Sequence, residues 1–163
     1  MAIYFFDSSA LVKRYVVEVG SAWVQAITDP GTGHRIHIAQ ITAVEVAAAV
    51  ARRVFNGHTS KVDADTAMAH FRHDCLNQYN PLEITEQIIS RAMSLAETYT
   101  LRAYDSFQLA AAVELHVRLN AQNISLGIPA SVAPVMLLIS SDNDLNNAAT
   151  AEGLIVDNPL SHP

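Results

Sequence analysis

The chain has 163 residues, half of them apolar and 16% charged, with ten Lys and Arg against sixteen Asp and Glu and a net charge of −6. That length is one domain, able to bury roughly 70% of the surface its unfolded form exposes. The composition excludes bulk disorder, and the acidic balance excludes a broad basic face for nucleic acid. The single cysteine, Cys75, excludes an intramolecular disulfide and fits a reducing compartment.

Residues 3–6 are an apolar run of β-formers that ends at Asp7 and reads as a strand buried on both faces. Ser8 and Ser9 lead into a short helix over residues 10–15, and Gly20-Ser21 restarts a second around Trp23 and Ile27. Residues 29–33 form a loop and residues 35–41 a strand. An alanine-rich helix over residues 42–55 stops at Asn56-Gly57. Ala64, Met68, Phe71 and Cys75 make residues 60–79 an amphipathic helix, ended by Asn80-Pro81, with a short strand at 82–84. Helices follow at 85–100 and 105–119. Residues 120–134 are polar, punctuated by proline, and read as an exposed loop. A buried strand over 135–139, a helix over 142–152 and a strand over 154–156 close the chain. Short apolar strands alternating with longer helices define an α/β fold with a mostly parallel central sheet. The start of the chain has no basic leader, and the apolar stretch 132–139 is too short to cross a bilayer and holds Pro134. A soluble, cytoplasmic protein without membrane contact is expected.

Carboxylates fall at telling places on this map. Asp7 ends the first strand, Glu45 sits on the first turn of the alanine-rich helix, Asp105 opens its helix, and Asp142 follows a strand with Asp144 two residues on. In a doubly wound sheet such positions converge on one edge. Clustered carboxylates resist ionising together and call for a cation, and an oxygen-only donor set suits Mg2+ or Mn2+. Such an ion binds phosphate oxygens and activates water, which points to metal-dependent phosphoryl transfer. Taken singly, each acid has a plainer role. Asp7, Asp105, Asp142 and Asp144 can start helices, and Thr42 with Glu45 spells a capping box. Glu45 is, however, the only charge between Ala39 and Ala51.

Four segments carry a family resemblance: Phe6-Asp7-Ser8-Ser9-Ala10-Leu11-Val12-Lys13, Thr42-Ala43-Val44-Glu45-Val46, Arg102-Ala103-Tyr104-Asp105-Ser106-Phe107-Gln108-Leu109-Ala110-Ala111-Ala112, and Leu138-Ile139-Ser140-Ser141-Asp142. In this order they resemble the PIN-domain ribonucleases, and among them the VapC-type toxins of toxin–antitoxin modules. The resemblance implies one PIN-like nuclease domain over residues 1–163, a three-layer α/β/α architecture, and Asp7, Glu45, Asp105 and Asp142 as acidic metal-site residues. Asp144 would be an outer ligand, Ser9 a support for Asp7, and Ser140 the hydroxyl of a Ser-x-Asp element. It implies Mg2+- or Mn2+-dependent endonucleolytic cleavage of RNA by an activated water, leaving a 5′-phosphate and a 3′-hydroxyl. A small antitoxin partner and a homodimer are implied as well. The 120–134 loop is longer than many members carry.

Arg102, three residues before Asp105, is the leading candidate for a phosphate contact, with Lys13 and Arg14 behind it and Arg52, Arg53 and Arg91 as further local cations. Arg91 and Arg118 read as solvated surface. His70, His73 and Cys75 hint at zinc but lack a fourth ligand. Two rival functions stand beside the nuclease. An aspartate-based phosphatase would want a second aspartate where Ser9 stands, and a non-catalytic module of the same fold would not need all four acids.

Overall fold

The computed structural model describes residues 2–162; Met1 and Pro163, the ends of the expected 1–163 unit, lie outside the described residues. Among the described residues, five strands form one sheet in which every pairing is parallel: β1 (Ile3–Phe6), β2 (Arg35–Ala39), β3 (Tyr79–Leu82), β4 (Met136–Ile139) and β5 (Ile155–Asp157). Their order is β3-β2-β1-β4-β5. The chain therefore builds outward from β1 to β3, then returns to lay β4 against the other side of β1. Connections leaving β1 and β4 part in opposite directions there, and the crevice between them is where open α/β sheets place their ligands.

Seven α-helices are present among the described residues: α1 (Ser8–Leu11), α2 (Ser21–Ile27), α3 (Thr42–Phe55), α4 (Lys61–Asn77), α5 (Glu86–Tyr99), α6 (Ala103–Ser125) and α7 (Asn143–Ala151). Alternation along β1 divides the core in two. Ile3 and Phe5 join Leu138 and side chains of α5, α6 and α7, whereas Phe6 joins Ile36, Ile38 and side chains of α1 to α4. Strands buried on both faces are continuously apolar, which is why residues 3–6 and 136–139 show no polar alternation. The three layers and the parallel sheet agree with the sequence reading, and among the described residues no helix is long and apolar enough to cross a membrane.

Several elements differ from the sequence reading, the first helix among them: Ser8 and Ser9 lie inside α1, Asp7 rather than a serine caps it, and it gives way after Leu11 to a 3-10 turn over Val12–Arg14. The fourth helix stops at Asn77, and Tyr79 opens β3 instead of closing the helix; Asn80 and Pro81 lie inside the strand. Pairing of residues 79–82 with Ile36 to Ala39 outweighs the local stop signal, and β3 is an edge strand, where a sheet accepts proline. The sixth helix starts at Ala103, two residues early, and runs to Ser125, through six residues read as loop. Asn123 is buried, and its carbonyl accepts the Ile128 N–H, so the stop falls at Gly127, whose positive φ of 65° ends the helix. Finally, Ile41 rather than Thr42 precedes the third helix, and no side-chain cap forms there, so the Thr42–Glu45 capping box is absent.

The C-terminal turn at Pro159–Ser161 lies against the start of α2. Gly20 has φ of 87°, and a Cβ there would stand 2.4 Å from the Pro159 carbonyl oxygen. Trp23, read as a packing residue, stacks on His162 with ring centroids 4.2 Å apart.

Candidate active site

Asp7 leaves β1 in an extended conformation and becomes the N-cap of α1. Its Oδ2 accepts from the Ser9 N–H at 3.0 Å, from the Ser9 hydroxyl, and from the Ser140 hydroxyl at 3.1 Å. Those two serines also tie the β1 and β4 connections together. Ser9 Oγ accepts the Ser141 N–H at 2.9 Å, and Ser140 Oγ accepts the Asp142 N–H at 3.0 Å. Each hydroxyl thus spends its one proton on Asp7 and its lone pair on the β4–α7 turn. Asp7 is 3% exposed, and burial pushes its carboxyl above the ordinary range despite these donors. Desolvation therefore outweighs hydrogen bonding at this position.

Asp142 is the N-cap of α7, its Oδ1 accepting the Leu145 N–H at 2.9 Å. Glu45, freed from capping, turns toward α6, where the Gln108 amide donates to its Oε2 at 2.5 Å and to Thr42 Oγ1 at 2.8 Å. Gln108 is fully buried and was missed in the sequence. Its signal is a lone polar residue in the apolar run Phe107 to Ala112, one turn after Asp105.

The carboxylates act on one another. Burial, then Asp7 and Asp105, raise Glu45 against its bond from Gln108. Asp105 is raised from 3.8 to about 6 by burial, Asp142, Asp7 and Asp144, with Arg102 pulling the other way. Asp7, Glu45, Asp105 and Asp142 therefore belong to one electrostatic neighbourhood at the crevice beside β1. Asp144 is exposed at its margin and enters as the last of the influences on Asp105.

The donor set is all carboxylate, with no cysteine or histidine among the four, and it suits a hard divalent ion. The side chains adjoin without closing on a point: among the described residues, no three His, Cys, Asp or Glu side chains are drawn together tightly enough to hold a metal. The expected crowding into a ready cage is thus only partly realised. Asp7 is locked and Asp142 is held as a cap, while Asp105 draws no hydrogen bond among the influences on its proton and is the acid freest to turn.

The candidate cations separate cleanly. Lys13 is 4% exposed and pairs with Glu18 at 3.0 Å, so it is not free for phosphate. Arg14 bonds Asp74 at 2.8 Å, the Thr28 carbonyl and hydroxyl, and Gln78, and it holds α4 to the α2 end. Both take structural roles instead, because a buried ammonium and a half-buried guanidinium must find partners. Arg53 pairs with Glu18 and Arg118 with Glu114. Arg102 stays exposed at the N-cap of α6, within electrostatic reach of Asp105. His70 and His73 are exposed, and burial raises the Cys75 thiol, so neither zinc ligation nor thiolate chemistry gains support there.

The PIN domain family profile matches residues 4–151. No curated protein matches the chain significantly. Among solved structures, the chain is similar to a toxin–antitoxin complex from Klebsiella pneumoniae, at 19% identity over 98% of both chains with a TM-score of 0.58. It is similar to FitAcB from Neisseria gonorrhoeae at 14% identity over 96% of this chain and 97% of that one, TM-score 0.59. It is also similar to VapBC2 from Rickettsia felis bound to a promoter DNA fragment, at 14% identity over 96% and 98%, TM-score 0.57. At these identities the solved structures speak for the fold. With the profile spanning nearly the whole of it, the chain belongs to the PIN domain family.

Proposed function

We propose that the protein is a divalent-metal-dependent endoribonuclease and the toxin of a toxin–antitoxin pair. The observation that supports this reading is the mutual electrostatic influence among Asp7, Glu45, Asp105 and Asp142, which come from four separate segments beside the crevice at β1. The resemblance of the fold to chains from toxin–antitoxin complexes supports the second half.

Asp7, Asp105 and Asp142 would hold Mg2+ or Mn2+, with Glu45 direct or through water and Asp144 outside. The ion, when bound, acidifies water and neutralises charge at a scissile phosphate. Asp7 is the fixed point of the site, since both serine hydroxyls hold one of its oxygens. Gln108 fixes one Glu45 oxygen, and the Ser8 hydroxyl is a further donor near that carboxyl. Glu45 and Asp105 both favour the protonated form more than free carboxyls do, Asp105 being raised to about 6. Arg102 would meet the RNA backbone. A phosphatase using Asp7 as nucleophile fits poorly, because that carboxylate is buried under three donors.

A cytoplasmic setting, an antitoxin partner and a homodimer complete the proposal. Phe55 and Leu76, 91% and 85% exposed, leave apolar surface for such partners. Light scattering at tens of micromolar should show the dimer; a monomer there contradicts it. For the central reading, RNA is incubated with the protein and Mg2+ or Mn2+, with and without chelator, beside Asp7→Asn and Asp105→Asn. Cleavage should vanish on chelation and in both variants. Equal cleavage in the variants, or none by the wild-type protein on any of several RNAs, would overturn it.

A further inference from the structure

We propose that a groove between α1 and α3, continuous with the acids, seats an unpaired nucleotide of the RNA beside the scissile phosphate, with Tyr104 stacking on its base and Arg52 holding its backbone. The inference rests on the nuclease reading above and adds to it two residues that position the substrate.

The groove encloses about 350 Å³, and Ser8, Ser9 and Glu45 are part of its wall, so it opens directly from the candidate active site. That volume is the size of a pocket for one small organic group, too small for a duplex. Glu45 and Arg52 both line it from α3. They stand seven residues apart, two turns along one face, which separates them by about 10 Å along the helix. Of the cations near the site, Lys13, Arg14 and Arg53 are bound to carboxylates, whereas Arg52 and Arg102 are exposed and form no ion pair among the described residues, and of these two only Arg52 lines the groove. An acidic protein that keeps one arginine unpaired along a groove leading from its acids presents it to an anion.

Tyr104 is the second feature. It lines the groove, is 52% exposed, and immediately precedes Asp105 in the chain. The facing wall is apolar, with Val12 and Val44, the latter 58% exposed. An exposed aromatic ring over an aliphatic wall suits the flat face of a base and is indifferent to its identity, as in binding of single strands.

The test uses a labelled single-stranded RNA that the wild-type protein cleaves with Mg2+, and reads kcat and KM separately for Arg52→Ala, Arg52→Lys, Tyr104→Ala and Tyr104→Phe. Melting curves confirm folding; both side chains are on the surface. Tyr104→Ala should raise KM about 5-fold or more while Tyr104→Phe stays near wild type, because the ring and not the hydroxyl stacks. Arg52→Ala should lower the slope of log KM against log salt by about 0.7, the share of one phosphate on a single strand, and Arg52→Lys should restore it. kcat at saturating RNA should hold in all four. Cleavage by the wild-type protein with unchanged KM and salt slope in the alanine variants would overturn this inference alone. Absence of cleavage by the wild-type protein would overturn the nuclease reading, and this inference with it.

Discussion

Replacing Asp105 by asparagine should stabilise the metal-free protein while removing its response to metal. Asp105 stands at about 6 in the folded chain against an ordinary 3.8. Folding therefore favours its protonated form. The stability it contributes is complete below 3.8 and is lost as pH rises through about 6. At about 1.4 kcal/mol per pH unit, that gap is about 3 kcal/mol above neutrality. Asp105 is only partly buried, and solvent screening reduces the expectation to about 1–1.5 kcal/mol. For a chain of this length that is about 2–6 °C in Tm. In chelator at pH ~7.5, Asp105→Asn should melt higher than wild type by this amount, and the difference should shrink toward pH ~4, where the wild-type carboxyl is protonated. Saturating Mg2+ should raise wild type, by about 1.4 kcal/mol at ten times Kd, and leave the variant unmoved. A variant that melts at or below wild type in chelator, or a difference that ignores pH, would refute the reasoning.

Three other substitutions test the parts around Asp105. Gln108→Leu, which releases Glu45, should raise the Mg2+ needed for half-maximal cleavage about 10- to 100-fold with little change in RNA KM. Ser140→Ala removes the Asp7 donor and the Asp142 N–H acceptor together, and calorimetry should show a loss of about 1–3 kcal/mol. Arg14→Ala leaves Asp74 with only the Tyr15 and Tyr79 hydroxyls, and denaturant melts should show a loss of about 1.5–3 kcal/mol; the RNA KM of the folded fraction should not change, since Arg14 is occupied by its protein partners.

The layered α/β order and most helix positions were legible because they depend on local periodicity and caps: Thr85 caps α5, Asp142 caps α7, and α3 spans the residues its alanine run marks. The errors lie where tertiary contacts decide. Asn80-Pro81 stops a helix in isolation, but pairing with β2 recruits it into an edge strand. Asn120 looks like a loop start, yet the helix persists because the residues beyond it can still bond one turn back and Asn123 is buried. At the site, the positions of the acids relative to strand ends and helix starts were legible, but their partners were not. Nothing local in Thr42-Ala43-Val44-Glu45 reveals that Gln108, 63 residues later, takes both the threonine hydroxyl and the carboxylate. Lys13 and Arg14 looked free for phosphate because their partners, Glu18 apart, lie on distant segments: Thr28, Asp74 and Gln78.

Calorimetric titration with Mn2+ of the protein alone, beside Asp7→Asn and Asp105→Asn, reaches the central claim without RNA. Wild type should bind saturably at near-integer stoichiometry, and each variant should lose most of that binding. Wild type that binds no Mn2+, or variants that bind it as well as wild type, would contradict the assignment of these carboxylates to a metal-dependent site.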